Sequence, residues 1–213
     1  MDKVYTKIVA KNAKINQADF VCVMRDEIGK KSVITKIEKK LGYPCFIKPA
    51  NAGSSVGITK AHNQEELVNG LKLAAEHDRK ILVEEFIDGR EVECAVLGTA
   101  EKAEASTIGE VLSAAEFYDY DAKYTNAESK TVIPAEIDEE IINGVRKVAL
   151  KVFKAVDGSG LARIDFFVEN GTNRIVFNEL NTLPGFTAIS MYPKLWECAG
   201  KSIEELIDEL ISL

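Results

Sequence analysis

The sequence predicts an α+β protein. Three observations carry that prediction. Stretches with apolar residues at helical spacing are interspersed with short runs rich in β-branched residues. Turn signals, Asp88-Gly89, Asn170-Gly171 and Pro184-Gly185 among them, punctuate those runs. Strand patterns dominate the second half, where they favour antiparallel pairing.

Taken in order, Asp2 to Ile15 is rich in Lys and Ala with apolar residues at helical spacing, so it reads as a helix. Asp19 to Met24 reads as a short strand. Lys30 to Leu41 is an amphipathic helix that ends at Gly42, a C-cap residue. Cys45 to Lys48 is a strand stopped by Pro49, and Asn51 to Gly57 is a loop of small residues. Asn63 is placed to cap a helix through Glu65 to Ala75. Ile81 to Phe86 and Glu91 to Leu97 are strands on either side of the Asp88-Gly89 turn, and more strand follows to Leu112. Ala114 to Lys130 reads as a polar loop with aromatic residues, and Asp138 to Val156 as a long helix. Ala162 to Asn181 forms two strands joined through Asn170-Gly171. Ser202 caps a last helix from Ile203 to Leu213, with Glu205 completing a capping box.

The 213 residues, 46% hydrophobic and 29% charged, suit one large domain or two smaller ones. A division near residue 86 is expected, giving units 1–86 and 87–213. The formal net charge of -7 argues against a nucleic-acid backbone as partner. Cys22, Cys45, Cys94 and Cys198 are scattered, which fits buried free thiols in a reducing, cytoplasmic setting. His62 and His77 lack metal-ligand spacing and read as surface residues near helix ends. No apolar run is long enough to span a membrane.

The chemistry concentrates in the hairpin. Side chains two apart on a strand share a face, so Arg163 and Asp165 point one way, as do Glu179 and Asn181. With an odd-length loop all four lie on one face, with Asp165 near Glu179. Adjacent carboxylates repel unless a proton or cation sits between them, and Mg²⁺ commonly takes one or two carboxylates plus substrate phosphates. A plain solvated face is the competing reading, and an even-length loop would split the row. Elsewhere, Lys48 ends a strand just before the small-residue loop Ala52-Gly53-Ser54-Ser55. Such a loop lets backbone N–H groups approach a phosphate, although a surface turn has the same composition. Val83-Glu84-Glu85-Phe86-Ile87 runs into acidic residues, where strand-end backbone can read an adenine edge and a carboxylate can accept from ribose hydroxyls. Tyr118-Asp119-Tyr120-Asp121-Ala122-Lys123-Tyr124 has the composition of a loop that closes over a ligand, or of aromatic packing on the surface.

In this order the motifs resemble those of the bacterial D-alanine–D-alanine ligases of the ATP-grasp superfamily, and the resemblance runs from about Met1 to Leu213. It implies the ATP-grasp fold, two α+β subdomains with a nucleotide cleft between them. It further implies that Lys3 and Lys48 bind ATP phosphates, that Lys123 neutralises the γ-phosphate, that Glu84 and the backbone through Ile87 meet adenine, and that Glu91 meets the ribose. Asp165, Glu179 and Asn181 would hold two Mg²⁺ ions, with Mn²⁺ as a substitute. Arg163 and the Gly185 backbone N–H would stabilise a tetrahedral oxyanion. Ser54 and Tyr124 would form part of a lid contact, and Ser190 and Met191 match positions that receive the second D-alanine. The implied reaction joins two D-alanines through an acyl phosphate, for peptidoglycan synthesis, without a covalent enzyme nucleophile. The family's first domain, which supplies contacts to the first D-alanine, is absent from this sequence, and Met1-Asp2-Lys3 resembles the start of the central domain. Homodimers are common in the family. Two alternatives stand beside this one: a nucleotide-binding module inactive alone, and another carboxylate–amine ligase of the same superfamily.

Overall fold

A computed structural model describes residues 1–112 and 130–213. Two antiparallel sheets organise them. The first has the order β1-β4-β2-β3, from β1 (Phe20–Met24), β2 (Cys45–Pro49), β3 (Thr59–Ala61) and β4 (Lys80–Glu85). The second has the order β7-β6-β5-β8-β9, from β5 (Gly89–Thr99), β6 (Ala103–Leu112), β7 (Lys130–Val132), β8 (Ser159–Glu169) and β9 (Ile175–Asn181). Antiparallel pairing therefore extends to the first half as well.

Strict alternation shapes the first sheet. Val21, Val23, Cys45, Ile47, Ile81 and Val83 point to one side, where α2 (Lys31–Lys40) and α3 (Gln64–His77) cover them with Ile34, Ile37, Leu67, Leu71 and Ala74. The Asn63 side chain accepts from the Glu66 N–H, as the sequence implies, and α3 runs on to His77. The opposite face carries Phe20, Cys22, Phe46, Lys48, Leu82 and Glu84 by the same alternation. Over part of it lies α1 (Lys3–Asn12), shorter than the predicted helix at both ends: the Asp2 carboxylate caps it by accepting from the Val4 and Tyr5 N–H groups, and Lys14 past its other end is left-handed, φ 55°.

The second sheet packs one face on α4 (Glu139–Ala155), whose Val145, Ala149, Val152 and Phe153 meet Val92, Cys94, Ile164, Phe166 and Phe177. On the other face α5 (Met191–Cys198) covers Ala95, Leu97 and Val111 with Tyr192, Leu195 and Trp196. This helix and the short β3 have no counterpart in the sequence expectations. The last helix, α6 (Ile203–Ser212), has the expected Ser202/Glu205 capping box. Gly89 opens β5 rather than ending a turn, because the strand starts two residues before the expected Glu91.

The cysteines are all free, but only Cys45 and Cys94 are buried; Cys22 is half-buried and Cys198 is exposed at the end of α5. His62 and His77 are exposed, as expected. The predicted loop from Ala114 lies, up to residue 129, outside the described residues. Lys130 already belongs to β7.

Candidate active site

Between the two sheets lie adjoining cavities of about 650 and 440 Å³. Both are lined by Ser55, Ile58, Glu91, Val111, Asn178 and Glu179, so they form one continuous cleft.

One wall comes from the first sheet. Because Cys45 and Ile47 are committed to the core, the alternation of β2 turns Lys48 toward the cleft. Glu84 lies across from Phe46 on β4 and faces the same way. Lys48 Nζ is 2.7 Å from Glu84 Oε2 and 3.3 Å from Asn178 Oδ1 across the cleft. The other carboxylate oxygen, Oε1, lies 2.5 Å from Lys7 Nζ. Burial alone would raise the Glu84 pKa, but the two ammonium groups overcome it and hold the carboxyl below its usual range. Burial likewise pushes Lys48 down, and Glu84, Glu179 and Glu91 together bring it above the ordinary lysine value. For Lys7 burial wins, and its pKa is lowered despite Glu84.

Above this wall runs the small-residue loop. Lys3, in the first turn of α1, donates from Nζ to the Ala52 carbonyl at 2.8 Å and pairs with Glu179 Oε2 at 3.3 Å. Ser54 and Ser55 both have left-handed backbone, φ 51° and 59°, a conformation uncommon for residues with a Cβ. Gly57, at φ 70°, has no such freedom to trade: a Cβ there would sit 2.4 Å from the His77 ring.

The opposite wall is the β8–β9 hairpin. Its loop has an even number of residues, 170 to 173, because Glu169 and Arg174 are the last bonded pair. From Val168↔Ile175 to Phe166↔Phe177 the register is continuous. An even loop was expected to split the polar row. It does not, because the register shifts by one residue between Asp165 and Phe166, giving the pairs Asp165↔Glu179 and Arg163↔Asn181. The extra residue is Asn178. With Phe177 and Leu180 in the core, Asn178 and Glu179 both line the cleft. The bulge supplies the parity that the loop lacks.

Arg163 donates to Asp165 through Nε and Nη2, both at 2.8 Å, and its Nε lies 3.0 Å from Glu93 Oε2 on the neighbouring β5. Burial disfavours the guanidinium charge, yet Asp165 and Glu93 lift its pKa well above the ordinary value. Asn181 Nδ2 donates to Asp165 Oδ2 at 3.0 Å. Among the described residues no three His, Cys, Asp or Glu side chains converge as a closed metal site. Two carboxylates and an amide on adjacent strands form an incomplete set of hard oxygen donors. Such a set fits a cation that takes its remaining ligands from phosphates and water.

The remaining predicted residues fall as follows. Gly185, Ser190 and Met191 line the larger cavity. A Cβ at Gly185 would lie 2.8 Å from Ser190 Oγ, and Ser190 Oγ accepts from the Thr187 N–H at 3.1 Å. Met191 is mostly core, packed with Tyr192 and Leu195. Ile87 and Glu91 line the smaller cavity with Phe46 and Phe86. Lys123 and Tyr124 lie outside the described residues. Sequence reasoning missed Lys7, Glu93 and Asn178. Lys7 was detectable, since it falls on the buried stripe Val4, Lys7, Ala10 of α1. Glu93 alternates with core residues of β5 and so had to share a face with Glu91. A bulge at Asn178 leaves no comparable mark.

No helix among the described residues is long and apolar enough to cross a membrane. Comparison with known proteins gives a consistent result. Residues 9–212 match the family described as the D-ala D-ala ligase C-terminus. A D-alanine–D-alanine ligase of Acetivibrio thermocellus is 55% identical over the whole chain, which spans 57% of that protein. One from Clostridium acetobutylicum is also 55% identical, with 62% of its length covered. Among solved structures, the VanG D-Ala:D-Ser ligase of Enterococcus faecalis superposes with a TM-score of 0.90 at 40% identity, over all of this chain and 61% of that one. The D-alanine–D-alanine ligase of Coxiella burnetii gives 0.86 at 32% identity, over all of this chain and 56% of that one. The two antiparallel sheets with their helices are the ATP-grasp fold of these neighbours. The chain thus spans about three fifths of the length of the relatives it matches.

Proposed function

This chain belongs to the D-ala D-ala ligase C-terminus family, and from that premise we propose that it is the ATP- and Mg²⁺-binding part of a ligase that joins two D-alanines. The observation that carries the reading is the cross-strand row Arg163, Asp165, Glu179 and Asn181 facing Lys3 and Lys48 across one cleft. Cations on one wall and oxygen donors on the other suit a metal-bound polyphosphate.

In this reading Lys3 and Lys48 hold phosphate oxygens and the Ser54–Ser55 loop lies over them. Phe46, Phe86 and Ile87 enclose the base, Glu84 offers its edge to adenine, and Glu91 takes the ribose. Asp165, Glu179 and Asn181 would hold Mg²⁺, which would supply positive charge against the triphosphate. The carboxylate of the first D-alanine attacks the γ-phosphorus and ADP leaves, giving an acyl phosphate. The amine of the second D-alanine attacks that carbonyl and phosphate departs. Arg163 and the Gly185 N–H stabilise the oxyanion between these events, and Ser190 and Met191 border the acceptor. Positioning and fixed charge do the work, with no covalent nucleophile. Lys123 and Tyr124 belong to the same proposal as γ-phosphate and lid contacts. The division at residue 86, a cytoplasmic location, a role in peptidoglycan synthesis, a homodimeric assembly and a supply of first-substrate contacts from residues outside this sequence complete it.

Phosphate release measured with ATP, Mg²⁺ and D-alanine tests the activity, and calorimetric titration of ATP with and without Mg²⁺ tests the site. The reading expects tight, Mg²⁺-dependent ATP binding. Binding indifferent to both Mg²⁺ and the hairpin carboxylates would overturn it. The likeness to a D-Ala:D-Ser ligase makes D-serine the competing acceptor, and release driven by D-serine in place of D-alanine as second substrate would reassign it.

A further inference from the structure

Lys7 is 1% exposed and lines neither cavity of the cleft, so it touches no ligand there. Its ammonium meets Glu84 Oε1 and lies 5.9 Å from the centre of the Phe177 ring. Packing alone does not explain a lysine at this position. A buried ion pair is weak evidence for stability, and an apolar residue of similar volume often serves as well.

The charges around it offer an explanation. Glu84 is shared: Oε1 goes to Lys7 and Oε2 to Lys48. Glu179, the other carboxylate of the group, pairs with Lys3. Three lysines thus stand against two glutamates, which leaves one net positive charge, and Glu91 acts on Lys48 from farther off. Without Lys7 the balance would be zero, and Glu84 would spend its whole charge on Lys48. On the ATP-binding reading above, we propose that Lys7 is a positioning residue that divides Glu84 between two ammonium groups and so leaves the charge of Lys48 only partly neutralised toward a polyphosphate. It also fixes the Glu84 carboxylate from behind, so that Lys48 Nζ stays aimed at the gap closed by Asn178.

The test is calorimetric binding of ATP and of adenosine, both with Mg²⁺, to the full chain and to Lys7→Met, Lys7→Met/Glu84→Gln and Lys48→Met. Relative to adenosine, whose own affinity shifts only as far as Glu84 meets adenine, Lys7→Met is expected to bind ATP about tenfold more weakly, a difference of about 1.4 kcal/mol. The double variant removes the carboxylate that would otherwise neutralise Lys48, so its ratio of ATP to adenosine affinity returns to within about threefold of the parent. A merely structural lysine would not give that recovery. Undiminished ATP affinity in Lys7→Met, an equal loss for adenosine, or no recovery in the double variant would each overturn the proposal. If Lys7→Met does not fold because Glu84 is left buried without its partner, the double variant decides. Failure of both to fold assigns Lys7 to structure alone. A loss in Lys48→Met with none in Lys7→Met overturns the inference only, whereas unchanged ATP affinity in Lys48→Met removes the site reading beneath it.

Discussion

Glu179→Gln separates binding from folding. The carboxylate is about a quarter exposed and its pairing with Lys3, at 3.3 Å, is between two partly solvated groups. Pairs of that kind contribute about 0.2–1 kcal/mol. Lys3 also keeps its bond to the Ala52 carbonyl, so the loop stays tied to α1. The fold should therefore lose less than about 1 kcal/mol. Binding responds differently. A charged ligand-to-cation contact replaced by a neutral amide costs roughly 1.5–3 kcal/mol, or about 10- to 150-fold in affinity for Mg²⁺-bound ATP. Without a divalent cation the sign reverses, because the substitution removes a negative charge that faces the triphosphate. ATP alone should then bind as well as to the parent, or more tightly. Urea denaturation gives the first number, and calorimetry with Mg²⁺ or with EDTA gives the other two. A folding loss as large as the binding loss, or Mg²⁺-dependent affinity equal to the parent, would refute the reasoning.

Asp165→Asn should add a folding loss to its loss of Mg²⁺-dependent binding. Asp165 is 2% exposed and takes two bonds from Arg163, so the substitution weakens a buried charge pair that Glu93 only partly replaces. Urea midpoints should report a loss of about 2–4 kcal/mol, and a loss under about 1 kcal/mol would show that the Arg163–Asp165 pair does not hold the hairpin. Lys48→Ala should weaken ATP binding by about 1.5–3 kcal/mol in calorimetry; unchanged affinity would make Lys48 structural only. The pH dependence follows from Glu84, whose folded pKa lies below its unfolded value. Its contribution is complete above the unfolded carboxylate pKa and is lost as pH falls through the depressed folded value. The stability gap between the parent and Glu84→Gln, followed by denaturation at a series of pH values, should be constant near neutrality. It should begin to close near pH 4–5, whereas closure above pH 6 would show that the lysines do not hold the carboxyl down. Gly57→Ala combines left-handed backbone with a Cβ 2.4 Å from the His77 ring. It should cost more than about 1 kcal/mol in thermal or urea unfolding, and a neutral result would mean that His77 swings aside freely.

Strong periodic signals survived folding almost intact. The cap at Asn63, the Ser202/Glu205 box and the alternation that turns Lys48 and Glu84 to one side are local rules that tertiary contacts did not override. Even the pairing of Asp165 with Glu179 was legible as a condition on parity. Its cause was not, because the loop is even and the bulge at Asn178 restores the face. A bulge leaves no composition signature when the extra residue is an ordinary polar one, and only cross-strand pairing reveals it. Long-range partners were hidden for a related reason. Glu93 meets Arg163 across a strand pairing seventy residues away in sequence, and Lys48 reaches Asn178 across 130. The helix α5 went unread because Pro184-Gly185 before it reads as a breaker and the helix is short. In the structure Pro193 falls in the first turn, where its missing N–H costs nothing. Cys198 shows the limit of composition: free thiols are usually buried, yet this one closes an exposed helix end.

The central claim is that the oxygens of two neighbouring strands grip the cation that bridges the phosphates. A crystal structure of the protein soaked with Mg²⁺ and a non-hydrolysable ATP analogue tests it most directly. The account predicts Mg²⁺ at about 2.1 Å from oxygens of Asp165, Glu179 and Asn181, with Lys48 on the phosphates and the base beside Phe46 and Ile87. A nucleotide bound elsewhere, or a cation whose ligands exclude all three side chains, would contradict it.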